Sequence, residues 1–259
     1  MGVALVTGAG KRLGRAMALA LAGAGYDIAA HYARSRDEAQ SLCDEVRAMG
    51  REARAFGADL TVEDDMQALV PAVARAFDAP LTVLVNNASI FEHDDIHSLS
   101  RQSWDRHLES NLRAPVVLTQ GFAAQAPAPR TDAQGEPVAQ AVVINMIDQR
   151  VRKLTPEFMS YTLAKMGLWA FTRTAAQALA PKVRVNAIGP GPTLQGARQS
   201  AGHFAAQRDS TVLQRGADPG DITRALLYLV EAQAVTGQLI CVDGGQHLGW
   251  RTPDVLGLE

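Results

Sequence analysis

The sequence predicts an α/β fold in which helices cover both faces of a doubly wound, seven-stranded parallel sheet. Short apolar runs of strand length alternate along the chain with longer segments whose apolar residues recur at helical spacing. This alternation is what a parallel sheet covered by helices requires. The length of 259 residues, 47% of them hydrophobic, suffices for one large core, so we expect residues 1–259 to form a single domain.

The positions of the apolar runs give the order of the elements. Strands are predicted near residues 3–6, 26–31, 52–57, 81–86, 141–147, 183–188 and 238–242. Helices are predicted near residues 12–24, 36–49, 62–77, 101–123, 158–180 and 219–231. Ligands of such a sheet bind beyond the carboxyl ends of its strands, so the residues that follow each strand are the candidates for function.

Two segments interrupt this pattern. Residues 124–140 contain three prolines and a glycine, and we expect an exposed surface loop there rather than a linker between domains. Residues 195–213 follow a Gly-Pro-Gly-Pro run. This second segment is either a mobile lid over the substrate or a plain surface excursion; we favour the lid because such loops commonly cover active sites.

Composition excludes several classes of protein. The net charge is −2, whereas a protein that binds nucleic acid or an anionic membrane usually carries a basic excess. No signal-peptide pattern opens the chain, and no run approaches the ~20 apolar residues that cross a bilayer. The two cysteines, Cys43 and Cys241, lie too far apart in sequence to suggest a disulfide framework. We therefore expect a cytoplasmic protein whose partner is a small-molecule substrate.

His93 and His97 stand four residues apart beside Asp94 and Asp95, which resembles a set of metal ligands. The cluster falls in the predicted loop after the fourth strand. We interpret it as a solvated polar rim and expect no metal site.

The first predicted strand runs directly into a glycine-rich turn, TGAGKRLG at residues 7–14. Glycines at such a turn let the chain bend sharply and let backbone amides approach a pyrophosphate at the helix N-terminus. A turn of this kind between a strand and a helix indicates a Rossmann-like dinucleotide site. Its predicted ligands are Gly8, Lys11, Arg12, Leu13 and Gly14.

The second predicted strand indicates which dinucleotide binds. An NAD site needs an acid about 20 residues after the glycines, but no carboxylate follows this strand before Asp37. Arg34 and Arg12 can instead hold a 2′-phosphate, unless both are merely solvated surface charges. We expect NADP(H), with further contacts from His31, Tyr32, Arg34 and Ser35.

Polar residues also close the next two strands. Asp59 and Leu60 follow the third strand, and Asn87, Ala88 and Ser89 follow the fourth. All five are predicted to line the cofactor crevice. Asp59 can also cap the helix that starts near residue 62, and the two roles are compatible.

Tyr161 and Lys165 stand at i and i+4, which places them on one face of the same predicted helix. A free tyrosine has a pKa of about 10, and a nearby ammonium favours the phenolate and lowers that value. The pair can thus exchange a proton in step with hydride transfer.

Taken together, these motifs resemble the short-chain dehydrogenase/reductase family over essentially the whole chain. The matching positions are Thr7-Gly8…Gly14, Asn86-Asn87-Ala88, Asn111, Tyr161…Lys165, Pro190-Gly191 and Val242-Asp243-Gly244-Gly245. The resemblance implies that Tyr161 is the general acid, that Lys165 binds the nicotinamide ribose and that Asn111 supports a proton-relay water. It places Pro190 and Gly191 at the cofactor and implies a homotetramer or homodimer.

One position departs from the family. A serine normally stands thirteen residues before the tyrosine, and here that residue is Asp148. A carboxyl group suits proton delivery to a ring nitrogen, and burial near Tyr161 would raise its pKa. Contact with Arg150 or Lys153 would instead keep Asp148 ionised.

Asp148, Arg12 and the residues after the second strand also resemble the pteridine reductases and related dihydromonapterin or dihydrofolate reductases. The resemblance implies that Phe91 stacks a flat pterin against the nicotinamide, and that Arg12 and Ser89 contact the pterin or the cofactor phosphates. Alternatively, Phe91 anchors its loop by packing under Leu99 or Trp104.

The leading interpretation is an NADPH-dependent reductase of a pterin-like C=N bond, with Tyr161 and Asp148 as proton donors and with Arg12, Ser89 and Phe91 at the substrate. A generic carbonyl or alcohol oxidoreductase of the same family, acting on a ketone or a 3-oxoacyl group, is the second interpretation. The third is an NADP(H)-binding sensor that has lost catalysis.

Overall fold

The computed structural model describes residues 2–196, 199–252 and 255. Its strands are β1 (Val3–Val6), β2 (Asp27–Tyr32), β3 (Ala53–Gly57), β4 (Leu81–Asn86), β5 (Arg130–Thr131), β6 (Pro137–Val138), β7 (Ala141–Met146), β8 (Val183–Pro190) and β9 (Leu239–Val242). Its helices are α1 (Arg12–Gly23), α2 (Arg36–Ala48), α3 (Glu63–Ala76), α4 (Arg101–Leu108), α5 (Ala114–Gln125), α6 (Met159–Leu179), α7 (Ala201–Asp209) and α8 (Pro219–Glu231).

Seven of these strands form one parallel sheet in the order β3-β2-β1-β4-β7-β8-β9. Strand β1 lies beside both β2 and β4, so the direction of winding reverses at this point. A crevice opens where the order reverses, beyond the carboxyl ends of the strands. The predicted doubly wound, Rossmann-like α/β domain with a seven-stranded parallel sheet is therefore confirmed.

Both faces of the sheet are buried, which explains why the strands are mostly apolar. Alternate residues of β1 enter opposite cores, since side chains point to opposite faces along a strand: Ala4 and Val6 join one cluster, and Val3 and Leu5 join the other. Helices α1, α2 and α8 cover the first face. Helices α3, α5 and α6 cover the second.

The helix predicted over residues 101–123 is divided. A π-helical segment, Glu109–Arg113, joins α4 to α5 and holds the candidate residue Asn111. The hydrophobic period does not reveal such a segment, because one wide turn leaves the apolar spacing on either side intact. Segments of this kind occur frequently at functional sites.

Residues 124–140 contain more secondary structure than the loop we expected. Helix α5 extends to Gln125, and the antiparallel pair β5 and β6 forms a short hairpin outside the main sheet. The Asp132 carboxylate accepts hydrogen bonds from the backbone amides of Gln134 and Glu136, which closes the turn of the hairpin. Helix α7 is also absent from the sequence prediction and lies within the segment 195–213.

Among the described residues, none of the helices has the length and apolar character needed to cross a bilayer. Within the same part of the chain, no group of three or more His, Cys, Asp or Glu side chains is arranged to hold a metal ion.

Candidate active site

A cavity of about 680 Å³ opens at the carboxyl edge of the sheet. It brings together most of the residues that the sequence analysis singled out. Of these, the cavity is lined by Gly8, Lys11, Arg12, Leu13, Gly14, His31, Tyr32, Arg34, Ser35, Asn87, Ala88, Ser89, Phe91, Asp148, Tyr161, Lys165, Pro190 and Gly191. Three predicted residues, Asp59, Leu60 and Asn111, lie outside this lining.

The glycine turn is held tightly against the segment after β4. The Thr7 hydroxyl oxygen accepts hydrogen bonds from the backbone amides of Asn87 and Ala88, each at 2.9 Å. The Asn87 amide nitrogen donates in turn to the Thr7 carbonyl at 2.8 Å. A Cβ atom at Gly14 would lie 2.2 Å from the Gly8 carbonyl oxygen, and Gly8 itself has a φ of +63°. Only glycine permits this close turn, which leaves a cradle of backbone suited to a dinucleotide pyrophosphate.

The His31 side chain also holds the glycine turn in place. Its Nδ1 accepts a hydrogen bond from the Gly8 amide at 3.1 Å, so Nε2 carries the proton and donates to the Ala58 carbonyl at 3.0 Å. Burial lowers the pKa of His31, which keeps the ring neutral. The side chain predicted as a cofactor ligand therefore also braces the glycine turn.

The basic side chains at this end differ in their partners. Arg12 has a φ of +52° and donates to the carbonyls of Leu194 and Gln195 at 3.0 and 2.8 Å, which links the glycine turn to the candidate lid. Lys11 forms an ion pair with Glu38 at 2.6 Å. Arg34 lies exposed at the mouth of the cavity beyond β2.

Asp59 and Leu60 lie outside the cavity lining, and their contact with the cofactor stays a prediction. The exposed Asp59 carboxylate accepts hydrogen bonds from the backbone and hydroxyl of Thr61, which lower its pKa, and Leu60 is buried in the core. The residue at the N-cap of α3 is Val62, so Asp59 is not the cap of that helix. Asp59 follows the edge strand β3, yet the charge of the cavity-lining Arg34 contributes to its lowered pKa.

Asn111 acts on the loop after β4. Its amide oxygen accepts from the Ile90 backbone amide and its amide nitrogen donates to the Ile90 carbonyl, both at 2.8 Å. This pair of bonds holds the segment that carries Ser89 and Phe91. The proton-relay role that the resemblance implies for Asn111 stays a prediction.

The candidate chemical groups converge at the start of α6. The Tyr161 hydroxyl donates to Asp148 Oδ2 at 3.0 Å, and Asp148 Oδ1 accepts from the Arg150 backbone amide at 2.8 Å. Lys165 Nζ donates to the Met146 carbonyl at 2.8 Å and lies 5.7 Å from the centre of the Tyr161 ring. A phenol, a carboxyl group and an ammonium group thus share one partly enclosed wall of the cavity.

Burial dominates the electrostatics of these groups. It raises the pKa of Asp148 against the opposing influence of the Arg150 amide and charge, and it lowers the pKa of Lys165 to about 8. Burial and the neighbouring Asp148 carboxylate raise the pKa of Tyr161 well above its usual value. Our expectation that Lys165 lowers the pKa of Tyr161 is therefore wrong for this arrangement. Tyr161 is a protonated phenol at neutral pH, as a proton donor must be.

Phe91 packs among aromatic rings. Its ring stacks on Phe158 with centroids 4.3 Å apart and planes 8° from parallel, and it meets the Tyr161 ring edge-on at 4.7 Å. The side chain remains 47% exposed, so part of it borders the cavity.

A buried cluster positions the start of α6 and was missed by the sequence analysis. Phe158, the N-cap residue, provides no side-chain cap; instead Asp94 accepts from the Met159 amide through its carbonyl and from the Ser160 amide through its carboxylate. The Ser160 hydroxyl donates to the same carboxylate, and His107 Nδ1 lies 2.6 Å from that hydroxyl. Asp94 is only 1% exposed. Its interpretation as part of a solvated rim is therefore wrong.

Much of the substrate end of the cavity consists of residues that no sequence motif marks. The additional lining residues are Gly10, Ala33, Met146, Ile147, Gln149, Arg150, Pro192, Thr193, Leu194, Gly196, Gln199, Phe204, Gln207 and Gln246. Most belong to the segment 195–213, its approach, or the turn after Asp148, where no motif marks them. Residues 197 and 198 of the candidate lid lie outside the described part of the chain, and the lid function stays a prediction.

Comparison with known proteins agrees with this geometry. The family model described as Enoyl-(Acyl carrier protein) reductase matches residues 8–247. The 3-oxoacyl-(acyl-carrier-protein) reductase FabG of Staphylococcus epidermidis is 30% identical over 250 residues, which cover 95% of this chain and 98% of the relative.

Solved structures extend the comparison. FolM alternative dihydrofolate reductase 1 from Brucella suis, crystallised with NADP, is 41% identical with a TM-score of 0.90 over 98% of both chains. A short-chain dehydrogenase from Burkholderia cenocepacia, also with NADP, is 29% identical with a TM-score of 0.85 over 95% of this chain and 97% of the other. With these relatives and this arrangement of groups, the chain belongs to the short-chain dehydrogenase/reductase family of NADP-dependent oxidoreductases.

Proposed function

We propose that this protein is an NADPH-dependent reductase of a pterin-like C=N bond, with Tyr161 and Asp148 supplying the proton. The observation that carries the proposal is the 3.0 Å hydrogen bond from the Tyr161 hydroxyl to Asp148, a carboxyl group at the family's serine position. The exposed part of the Phe91 ring provides an aromatic surface beside this pair, on which a flat heterocycle can stack.

The glycine turn, Arg34 and Lys165 are the groups that would hold the cofactor, which when bound supplies a hydride. The turn presents backbone amides to the pyrophosphate, and the Arg34 guanidinium at the mouth of the cavity suits a 2′-phosphate. Lys165 is anchored to the Met146 carbonyl and keeps further N–H groups for a ribose hydroxyl.

The proton donors suit a nitrogen acceptor. Reduction of a C=N bond places negative charge on nitrogen, which must gain a proton in the same event. The Tyr161 phenol is protonated, and the raised pKa of Asp148 lets the carboxyl group replenish or deliver that proton. A serine at position 148 would donate a hydrogen bond but has no comparable acidity.

The relatives favour two different substrates. The Brucella FolM structure, more similar in sequence, supports a reduced pterin or folate. The Staphylococcus FabG relative supports a 3-oxoacyl group, the second candidate. Asp148 favours the first, because a 3-oxoacyl carbonyl needs only the hydrogen bonds that serine and tyrosine provide.

The decisive experiment follows NADPH oxidation with a panel of dihydropterins, dihydrofolate, 3-oxoacyl thioesters and simple ketones. We expect the highest kcat/KM with a dihydropterin. Turnover of ketones or 3-oxoacyl thioesters without turnover of any dihydropterin would contradict the proposal. Tight NADPH binding without turnover of any compound would favour the sensor interpretation.

We further propose a cytoplasmic homotetramer or homodimer. Trp104, Leu163 and Met166 expose apolar surface on α4 and α6, as a subunit interface would require. Sedimentation at several concentrations tests the assembly.

A further inference from the structure

Two consecutive side chains next to Asp148 each bury a polar atom that has no hydrogen-bond partner among the described residues. These atoms are Gln149 Oε1 and Arg150 Nε. Both residues line the cavity, and Gln149 is only 8% exposed. Buried polar atoms are normally paired, because an unpaired one has lost its water without replacement. Other unpaired buried atoms occur in the described chain, but none of those belongs to a cavity-lining residue.

The backbone of this turn is firmly fixed. The Ile147 amide donates to the Ile188 carbonyl at 2.8 Å, and the Arg152 amide donates to the Gln149 carbonyl at 2.8 Å. A Cβ atom at Gly189 would lie 3.3 Å from the Gln149 nitrogen, so β8 packs directly against the turn. The unpaired atoms are therefore not a result of a loose loop.

The Arg150 side chain is also positioned. Its guanidinium lies over the Phe158 ring at 5.1 Å from the centroid and donates to the Thr155 hydroxyl, and Phe158 also stacks on Phe91. Arg150 and Phe91 both line the cavity, and Phe158 contacts both. The turn after Asp148 thus contributes one acceptor, from Gln149, and one donor, from Arg150.

We propose that Gln149 is a specificity-determining residue whose side-chain amide binds an N–H group of a heterocyclic substrate, with Arg150 donating to an adjacent acceptor atom. This inference rests on the proposed function. A pterin offers ring or amino N–H groups next to nitrogen and carbonyl acceptors, which match an acceptor and a donor from consecutive residues. The terminal torsion of glutamine is soft, so Gln149 can turn its oxygen toward the cavity. A 3-oxoacyl chain or a ketone offers no such N–H group.

The test compares two flat substrates, a 7,8-dihydropterin and 9,10-phenanthrenequinone, which lacks any N–H group. Gln149→Met keeps the length of the side chain and removes its hydrogen bonds. We expect kcat/KM for the dihydropterin to fall about tenfold or more, mainly through KM, and kcat/KM for the quinone to change less than about threefold. The Kd of the dihydropterin for the complex with NADP⁺, measured by calorimetry, should rise by a similar factor.

Matched variants separate recognition from folding. Gln67→Met replaces an exposed glutamine of α3 and should behave as wild type with both substrates. The Kd for NADPH and the thermal midpoint of Gln149→Met should equal those of wild type. If Gln149→Met folds poorly, Gln149→Ala provides the same comparison with a smaller side chain.

The outcomes are distinguishable. Wild-type reduction of dihydropterin with an unchanged Gln149→Met variant would overturn this inference alone and assign the unpaired atoms to a bound water molecule. Equal losses with both substrates would also overturn it, because they indicate a general structural role. Absence of dihydropterin binding and turnover in the wild type would overturn both this inference and the proposed function.

Discussion

The two ends of the cavity are constructed differently. At the nucleotide end, the backbone of the glycine turn forms the surface: the Thr7 hydroxyl and the His31 ring fix this backbone in place, and Gly14 permits its closeness. At the substrate end, side chains from distant segments converge, among them Phe91 and Tyr161. A site made of backbone tolerates few sequences, whereas a wall of side chains can change with the substrate. This difference explains why one family can keep a cofactor and vary its reaction.

The largest loss of activity should come from a change that removes a chemical group at the substrate end and leaves NADPH binding at the nucleotide end intact. Tyr161→Phe removes one hydroxyl group and almost no packing, so kcat should fall about 10³-fold because the phenolic proton donor is lost. The Kd for NADPH, measured by fluorescence titration, should remain within a factor of two. Substantial residual activity would show that Asp148 alone can donate the proton.

The next effect concerns pH. The raised pKa of Asp148 means that the wild-type carboxyl group is protonated at low pH and loses its proton as pH rises through that raised value. Wild-type kcat should therefore decline with rising pH. Asp148→Asn cannot donate at any pH, so its deficit should be greatest, about 10²-fold, at low pH and should shrink as pH rises. A deficit that is the same at every pH would assign Asp148 a positioning role.

A smaller loss of activity should follow from a change in phosphate binding at the nucleotide end alone. Arg34→Ala should lower kcat/KM for NADPH about tenfold and leave kcat/KM for NADH unchanged, because only NADPH carries the 2′-phosphate. Arg36→Ala removes an exposed arginine outside the cavity lining and serves as the control. Equal losses with both cofactors would contradict the assignment of Arg34 to the phosphate.

The smallest effect on rate is expected from a residue that supports the start of α6 without touching a reacting group. Asp94→Ala removes the carboxylate that accepts from the Ser160 amide and hydroxyl, and should lower the free energy of unfolding by about 1–2 kcal/mol. We expect kcat to fall severalfold, because Tyr161 follows Ser160 directly. Urea unfolding and steady-state kinetics measure both effects. Asp78→Ala, which removes an exposed carboxylate outside the cavity lining, should change neither.

The contrast between the two ends also explains what the sequence predicted. The glycine turn and the Tyr161–Lys165 pair are short-range patterns, so the sequence alone identified them. The amide contact between Asn111 and Ile90 and the capping of α6 by Asp94 depend on tertiary packing, which spacing does not encode. Strand order also depends on the completed fold: β3 is the edge strand, and Asp59, which follows it, lies outside the cavity lining.

The pKa of Tyr161 also depends on tertiary packing, which the sequence does not show. The four-residue spacing of Tyr161 and Lys165 suggested a lowered tyrosine pKa, but burial and Asp148 reverse the direction. Sequence spacing gives proximity along a helix, while the extent of burial depends on the completed fold.

The π-helical segment Glu109–Arg113 fixes the rotation between the two helices that it joins. A π-helical turn takes up about one residue more than an α-helical turn, and an α-helix turns by about 100° per residue. Conversion of this segment to regular α-helix at unchanged chain length would therefore rotate α4 relative to α5 by about that angle. His107, on α4, would swing away from Ser160, and Asn111 would lose Ile90. We therefore expect the wide turn itself to be essential, since it sets the relative rotation of two walls of the active site.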